Sequence, residues 1–261
     1  MSWLEALILG IIQGLTEFLP VSSSGHLEIG TVVLGVQTSD NLLFAVLVHL
    51  ATALATIVVF WNDIKTILVD LIKFKWNDSM SFIVKISISM IPVFFIGIFL
   101  KDEIESLFTG NLLLVGFMLL ITSLLLLFAH FKKSGKKEVS YIDSILIGLA
   151  QAMAVLPGIS RSGSTIATAL LLGVERSKAA RFSFLMVLVP ILGASLLELK
   201  DFLEEPTAHA ISFSSLTIGF VSAFIAGYVA CKWMIAIVRK GKLTYFAAYC
   251  ALVGILAIVF S

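Results

Sequence analysis

The sequence predicts an all-α integral membrane protein, with six transmembrane helices and two re-entrant helix–loop–helix hairpins arranged as an inverted-topology repeat. Three observations predict it: the ratio of apolar to charged residues, the sorting of basic residues into alternate loops, and two apolar segments broken at mid-length by polar clusters. Of 261 residues, 59% are hydrophobic and 13% charged, against about 45–50% and 25% in soluble domains. With a mean hydropathy of +1.06, the chain has too little polar surface to cover a soluble fold. That excludes a soluble enzyme, a disordered chain and a nucleic-acid binder. The net charge of +1 is uninformative by itself, because placement is what matters in a membrane protein. Cys231 and Cys250 both lie in apolar runs, so no disulfide framework is expected.

The first element, residues 3–36, is apolar but carries Glu5, Gln13 and Glu17, with no Lys or Arg before Lys65. It is therefore not expected to be a cleaved signal peptide. Its middle reads Leu19-Pro20-Val21-Ser22-Ser23-Ser24-Gly25-His26, which leaves two halves too short to span about 20 residues of bilayer. Polar, Gly/Pro-broken backbone at membrane depth is tolerated only when buried in protein or facing water, so this segment reads as a re-entrant hairpin. Crossings follow at about 41–61, 82–100 and 112–131. Residues 141–174 repeat the broken pattern around Pro157-Gly158-Ile159-Ser160-Arg161-Ser162-Gly163-Ser164-Thr165. Three further crossings, about 182–199, 213–238 and 243–260, complete the chain, the longest carrying Lys232 where it can snorkel to the interface. His49, alone in the first crossing, is expected to hydrogen-bond a neighbouring helix.

Thirteen of the 18 basic residues fall in four loops: Lys65, Lys73 and Lys75; Lys132, Lys133, Lys136 and Lys137; Arg176, Lys178 and Arg181; Arg239, Lys240 and Lys242. The loops between them, around 101–111 and 200–212, are acidic, with Asp102, Glu103, Glu105, Asp201, Glu204 and Glu205. The positive-inside rule places the basic loops in the cytoplasm and the acidic ones outside. The two hairpins match at an offset of 138: Gly10, Gln13, Ser22, Ser24, Gly25, Leu34, Gly35 and Val36 recur as Gly148, Gln151, Ser160, Ser162, Gly163, Leu172, Gly173 and Val174. Three crossings separate the copies, so they are inverted, repeat 1 over about 1–131 and repeat 2 over about 139–261 of a single membrane domain, 1–261. Their loops are expected to meet near the midplane from opposite sides.

Together the loops offer the parts of a phosphate site. Ser22, Ser23, Ser24 and Gly25, with Ser160, Ser162, Gly163 and Ser164, place hydroxyls and amides at helix starts, which bind phosphate without a named motif. Arg161 stands in an apolar setting, where a charge is expensive and marks a functional site by default, and its planar fork suits phosphate. Glu17 and Gln13 share one helix face; the carboxylate could pair with Arg161, hold a divalent cation or accept a proton. His26, three residues after Ser23, is placed for a relay or nucleophilic role. The inventory matches phosphoryl transfer, where positioning and charge stabilisation supply most of the catalysis. The plainer readings are small residues that serve helix packing and a structural Glu17–Arg161 ion pair.

At these two loops the chain resembles the undecaprenyl-diphosphate phosphatases of the bacitracin-resistance family. The resemblance rests on Gln13-Gly14-Leu15-Thr16-Glu17-Phe18-Leu19-Pro20-Val21-Ser22-Ser23-Ser24-Gly25-His26 and on Pro157 to Thr165, and extends along essentially the whole chain. It implies hydrolysis of the lipid carrier diphosphate to the monophosphate and inorganic phosphate, recycling the carrier for cell-wall polymers. It also implies catalytic roles for Glu17, Ser23, His26 and Arg161, with Ser23 or His26 as the nucleophile. Gln13, Ser22, Ser24, Gly25, Ser160, Ser162 and Thr165 are the substrate-binding candidates. The implied cofactor is a divalent cation, Mg²⁺ or Ca²⁺, with Glu17 as its candidate ligand. Gln13 stands where many members have Glu, which removes one charge from a carboxylate pair. The expected partners are a polyprenyl diphosphate lipid and the bilayer, a homodimer being allowed for and nucleic acid not. The expected place is the cell membrane, with the active site facing outward. The rival reading, a transporter or flippase of lipid phosphate or another anion, uses the same inverted repeats and cationic pocket.

Overall fold

Apolar periodicity becomes helix throughout the described part of the chain. The computed structural model describes residues 1–36, 41–73, 75–100, 103–104, 106–107, 111–133, 135–193 and 211–261. Most of the two acidic loops, including Asp102, Glu105, Asp201, Glu204 and Glu205, and the last third of the 182–199 crossing lie outside the described residues. Among the described residues there is no named strand, only an isolated bridge between Lys137 and Val174.

The first hairpin is α1 (Trp3–Phe18) and α2 (Ser23–Leu34). Helix α1 starts in a capping box, in which Ser2 and Glu5 satisfy each other's backbone N–H. It stops at Leu19 because Pro20 disfavours helical backbone in the residue before it. Helix α3 (Asn41–Val59) covers the stretch expected as the first crossing and is followed by α4 (Trp61–Ile72), bent away by 77°. Helices α5 (Asp78–Phe99) and α6 (Leu112–Phe131) match the next two crossings, and α7 (Tyr141–Met153) with α8 (Arg161–Leu171) is the second hairpin. Helix α9 (Arg176–Met186) leads into the stretch expected as the fourth crossing, and the chain is helical again at 188–193. Helices α10 (Phe213–Lys240) and α11 (Thr244–Val259) close the fold. Among the described residues α5, α6 and α10 are long and apolar enough to cross a membrane, and the bent α3–α4 pair makes a fourth. The protein is a multi-pass membrane protein. Its flanks expose Phe94, Phe95, Phe128 and Ile225, a surface that would aggregate in water and that lipid covers.

One stretch differs from expectation. The sequence reads 62–75 as a loop, whereas Trp61–Ile72 is helical. Its apolar positions Ile64, Ile67 and Leu71 recur at helical spacing, and Ile64 and Ile67 pack on the core. Trp61, Leu68 and Ile72 stay exposed beside Lys65 and Lys73, the pattern of a helix lying in the interface.

Contacts gather the four basic segments at one end. Arg181 is ion-paired with Asp63, Nε to Oδ1 2.7 Å, with its guanidinium 4.7 Å from the centre of the Phe82 ring. Lys178 pairs with Glu138, His130 Nδ1 lies 3.2 Å from the Gly241 carbonyl oxygen, and Gly241 abuts Arg176.

The hairpins carry the same local hydrogen bonds at the offset of 138. The Gly25 N–H donates to Ser22 Oγ at 3.3 Å and the Gly163 N–H to Ser160 Oγ at 3.0 Å. The Gly35 N–H reaches the Val32 carbonyl as Gly173 reaches Leu170, and Val36 reaches Thr31 as Val174 reaches Ala169. Each hairpin's first helix packs on a helix from the other half of the chain, α1 on α10 and α7 on α5. Glycine makes this possible: a Cβ on Gly14 would lie 2.6 Å from the Ala223 carbonyl oxygen and 2.8 Å from the Gly227 nitrogen, both backbone atoms that cannot swing away. Gly14→Val is therefore expected to cost about 3 kcal/mol. The thermal midpoint of purified protein in detergent checks it, and an unchanged midpoint would contradict the packing.

Candidate active site

The two loops meet. A Cβ on Gly25 would touch Gly158 Cα at 3.0 Å, and one on Gly163 would touch Pro20 Cβ at 3.3 Å; Pro20 and Gly158 are themselves 138 apart. Only small residues at these positions let the loops approach so closely. Helix α6 fixes the second loop, for Thr122 Oγ1 accepts from the Ser160 N–H at 3.0 Å and donates to the Gly158 carbonyl at 3.3 Å. Ser22, the N-cap of α2, holds a φ of 70°. That left-handed conformation is uncommon and costly for a residue with a Cβ, and such strain collects at functional sites.

Arg161 is the first residue of α8, where the helix dipole is unfavourable to a cation. A carboxylate compensates: Arg161 Nη2 donates to Glu17 Oε1. The other carboxylate oxygen, Oε2, accepts from Ser23 Oγ at 2.6 Å and from Gln13 Nε2 at 2.9 Å. Gln13 Nε2 spends its second proton on His49 Nδ1 at 2.8 Å. The amide at position 13 is thus the residue that can serve both neighbours, since a carboxylate there would face Glu17.

Ser23, Ser24, His49, Gln151 and Arg161 line a cavity of about 290 Å³ together with apolar side chains that include Val46, Val93, Val155 and Ile191. A smaller space of about 10 Å³, room for about one water, also touches Arg161 and lies among Glu17, Thr52, Thr56, Ser162, Thr165 and Ser183.

Of the candidates from sequence, the structure brings Ser23, Ser24 and Arg161 to the cavity, with Glu17 bonded to two of them. Gln13 is fully buried behind Glu17. Ser22 and Ser160 cap helices, and Gly25 packs on the opposite loop. Ser162 Oγ donates to the Leu19 carbonyl at 3.1 Å, and Thr165 Oγ1 to its own helix backbone at 2.9 Å. His26 is held elsewhere: Nδ1–H donates to the Ser22 carbonyl at 2.8 Å, which leaves Nε2 to accept from the Tyr249 hydroxyl at 2.9 Å, the two rings stacked 5.5 Å apart. Sequence reasoning left out His49 and Gln151. The signal for His49 was its isolation in an apolar helix, where a polar group defaults to function; for Gln151 it was the match to Gln13.

The donor set is a poor fit to a resident metal ion. Among the described residues no three His, Cys, Asp or Glu side chains cluster, and both oxygens of Glu17 are taken by Arg161, Ser23 and Gln13.

The model of the bacitracin resistance protein BacA family matches residues 6–256. The chain belongs to that family. A protein named undecaprenyl-diphosphatase from Bacteroides fragilis is 54% identical over 100% of this chain and 99% of its own. One from Parabacteroides distasonis is 54% identical, covering 99% and 98%. A more distant one, from Halothermothrix orenii, is 43% identical, covering 98% and 96%.

Proposed function

We propose that this BacA family member hydrolyses undecaprenyl diphosphate to undecaprenyl phosphate and inorganic phosphate. It thereby recycles the lipid carrier for cell-wall synthesis and confers resistance to bacitracin. The observation that carries the reading is the Ser23 hydroxyl on the cavity wall, donating at 2.6 Å to a carboxylate that is itself paired with Arg161. A hydroxyl bonded to a base, beside a guanidinium, is the arrangement an activated nucleophile needs.

The diphosphate head enters the cavity while the polyprenyl tail stays in lipid, since about 290 Å³ holds a head group and little more. Ser23 Oγ attacks the terminal phosphorus, its proton passes to Glu17, and the bond to the bridging oxygen breaks to release the lipid monophosphate. Water then attacks the phosphoserine, giving inorganic phosphate and restoring the serine. Arg161 neutralises charge on the transferred group, most strongly in the transition state. His26 braces the first loop through Ser22 and Tyr249. The divalent cation is taken to arrive on the oxygens of the diphosphate, as part of the substrate.

The six-crossing topology with two re-entrant hairpins and inverted repeats belongs to the same proposal. Support comes from the hydrogen bonds shared at the offset of 138 and from the basic segments gathered at one end. The cavity touches Val46 and His49 in the first half of α3 and Val93 late in α5, away from that basic end. This supports a site opening to the outer side of the cell membrane. The test is phosphate release from a prenyl diphosphate by purified protein, with and without chelator. Release that chelator suppresses and added Mg²⁺ or Ca²⁺ restores is the expected result. No release, with anion or lipid movement in proteoliposomes, would transfer the reading to transport.

A further inference from the structure

We infer that His49 and Gln151 form the subsite for the second phosphate, the one that stays on the lipid. The inference rests on the reading above, in which Ser23 attacks the terminal phosphate. Beyond Ser23, Ser24 and Arg161, the polar side chains lining the cavity are His49 and Gln151. A diphosphate whose terminal group lies against Ser23 and Arg161 therefore meets these two with its other phosphate.

Both side chains offer hydrogen-bonding capacity that the protein leaves unused. Glu17 sets the orientation of the Gln13 amide, because its carboxylate oxygen requires a donor and draws Nε2 toward it at 2.9 Å. The same nitrogen then donates to His49 Nδ1 at 2.8 Å, so the imidazole proton sits on Nε2. Among the described residues that N–H has no partner. Gln151 is 1% exposed, yet its Oε1 has no partner and its Nε2 reaches only the thioether of Met90 at 3.8 Å. An unmade hydrogen bond at a buried amide is costly. Its repeat counterpart Gln13 satisfies its nitrogen on Glu17 and His49, but the residues 138 further along, Val155 and Val187, are apolar. The second repeat has kept the amide without the partners that would consume it. A phosphate supplies them, accepting N–H bonds on its oxygens and, when protonated, donating to the amide oxygen.

The experiment uses the purified full-length chain, farnesyl diphosphate as substrate, and farnesyl monophosphate and inorganic phosphate as competing products. His49→Leu and Gln151→Met remove the hydrogen bonds at similar volume, and His49→Gln restores an N–H. In the His49→Leu/Gln151→Met protein, KM for the diphosphate and the inhibition constant of farnesyl monophosphate rise about tenfold or more. The inhibition constant of inorganic phosphate, which occupies the terminal subsite, stays within about twofold. His49→Gln recovers most of the loss. A merely structural role would move both products together, and that result, or an unchanged monophosphate constant, overturns the subsite. If the unmodified protein releases no phosphate, the hydrolase reading fails by itself. Calorimetric binding of farnesyl monophosphate to the same variants then decides the subsite without turnover, with equal affinities overturning it.

Discussion

Glu17→Gln and Arg161→Ala are each expected to lower the rate of phosphate release by about 10³-fold or more. The two losses have different origins. Arg161 carries the cationic charge at the cavity wall, so its removal leaves the developing phosphoryl charge facing Ser23, Ser24 and neutral donors. Glu17→Gln retains the shape of the side chain but no longer accepts the proton of Ser23 Oγ, which it now receives at 2.6 Å. Removing one partner of a buried pair also destabilises the protein, by about 3–5 kcal/mol, and a loss of activity alone would not separate chemistry from folding. The double variant Glu17→Gln/Arg161→Met makes the separation. It leaves no unpaired charge, so its thermal midpoint in detergent is expected to recover toward that of the unmodified protein, while its activity stays at the floor. If activity returned with stability, the pair would be structural only.

That pair also shows how far the sequence could be read. Scarcity of charge made Glu17 and Arg161 conspicuous, and the repeat offset of 138 brought their loops together before any coordinates did. The reciprocal contacts Gly25–Gly158 and Gly163–Pro20 are what that offset implies for two hairpins that cross. Helix α4 is hard to see in the sequence because Lys65, Asp70 and Lys73 give it the charge of a loop, while its Ile64–Ile67–Leu71 spacing is that of a helix. The sequence predicts that His49 bonds a neighbouring helix, and it does, through Gln13. What pattern alone did not disclose is that this bond lies beside Glu17 and fixes which imidazole nitrogen keeps the proton. Roles within the Ser-rich loops were hidden for a related reason. Ser22, Ser23 and Ser24 are chemically alike, and only the turn after Pro20 decides that the first caps a helix and the second reaches a carboxylate.

The family resemblance leaves Ser23 and His26 as alternative nucleophiles, and the geometry favours Ser23. The lone pair of the imidazole is on Nε2, where it accepts from the Tyr249 hydroxyl, while Nδ1–H is held by the Ser22 carbonyl. His26 would have to break both bonds and its stack on Tyr249 before reaching the cavity. Ser23 already lines the cavity, with its proton directed at the base. Ser23→Ala is therefore expected to lose about 10³-fold or more in kcat, with farnesyl monophosphate still binding. His26→Gln retains a side chain able to bond the Ser22 carbonyl and the Tyr249 hydroxyl, and is expected to keep kcat within about tenfold. Acid quenching of the unmodified enzyme during turnover supplies the decisive reading, because phosphoserine survives acid and phosphohistidine does not. Acid-stable phosphate that disappears in Ser23→Ala and persists in His26→Gln is the expected pattern. Acid-labile phosphate that requires His26 would reverse the assignment, and the Tyr249 contact would then have to be a resting state that substrate opens.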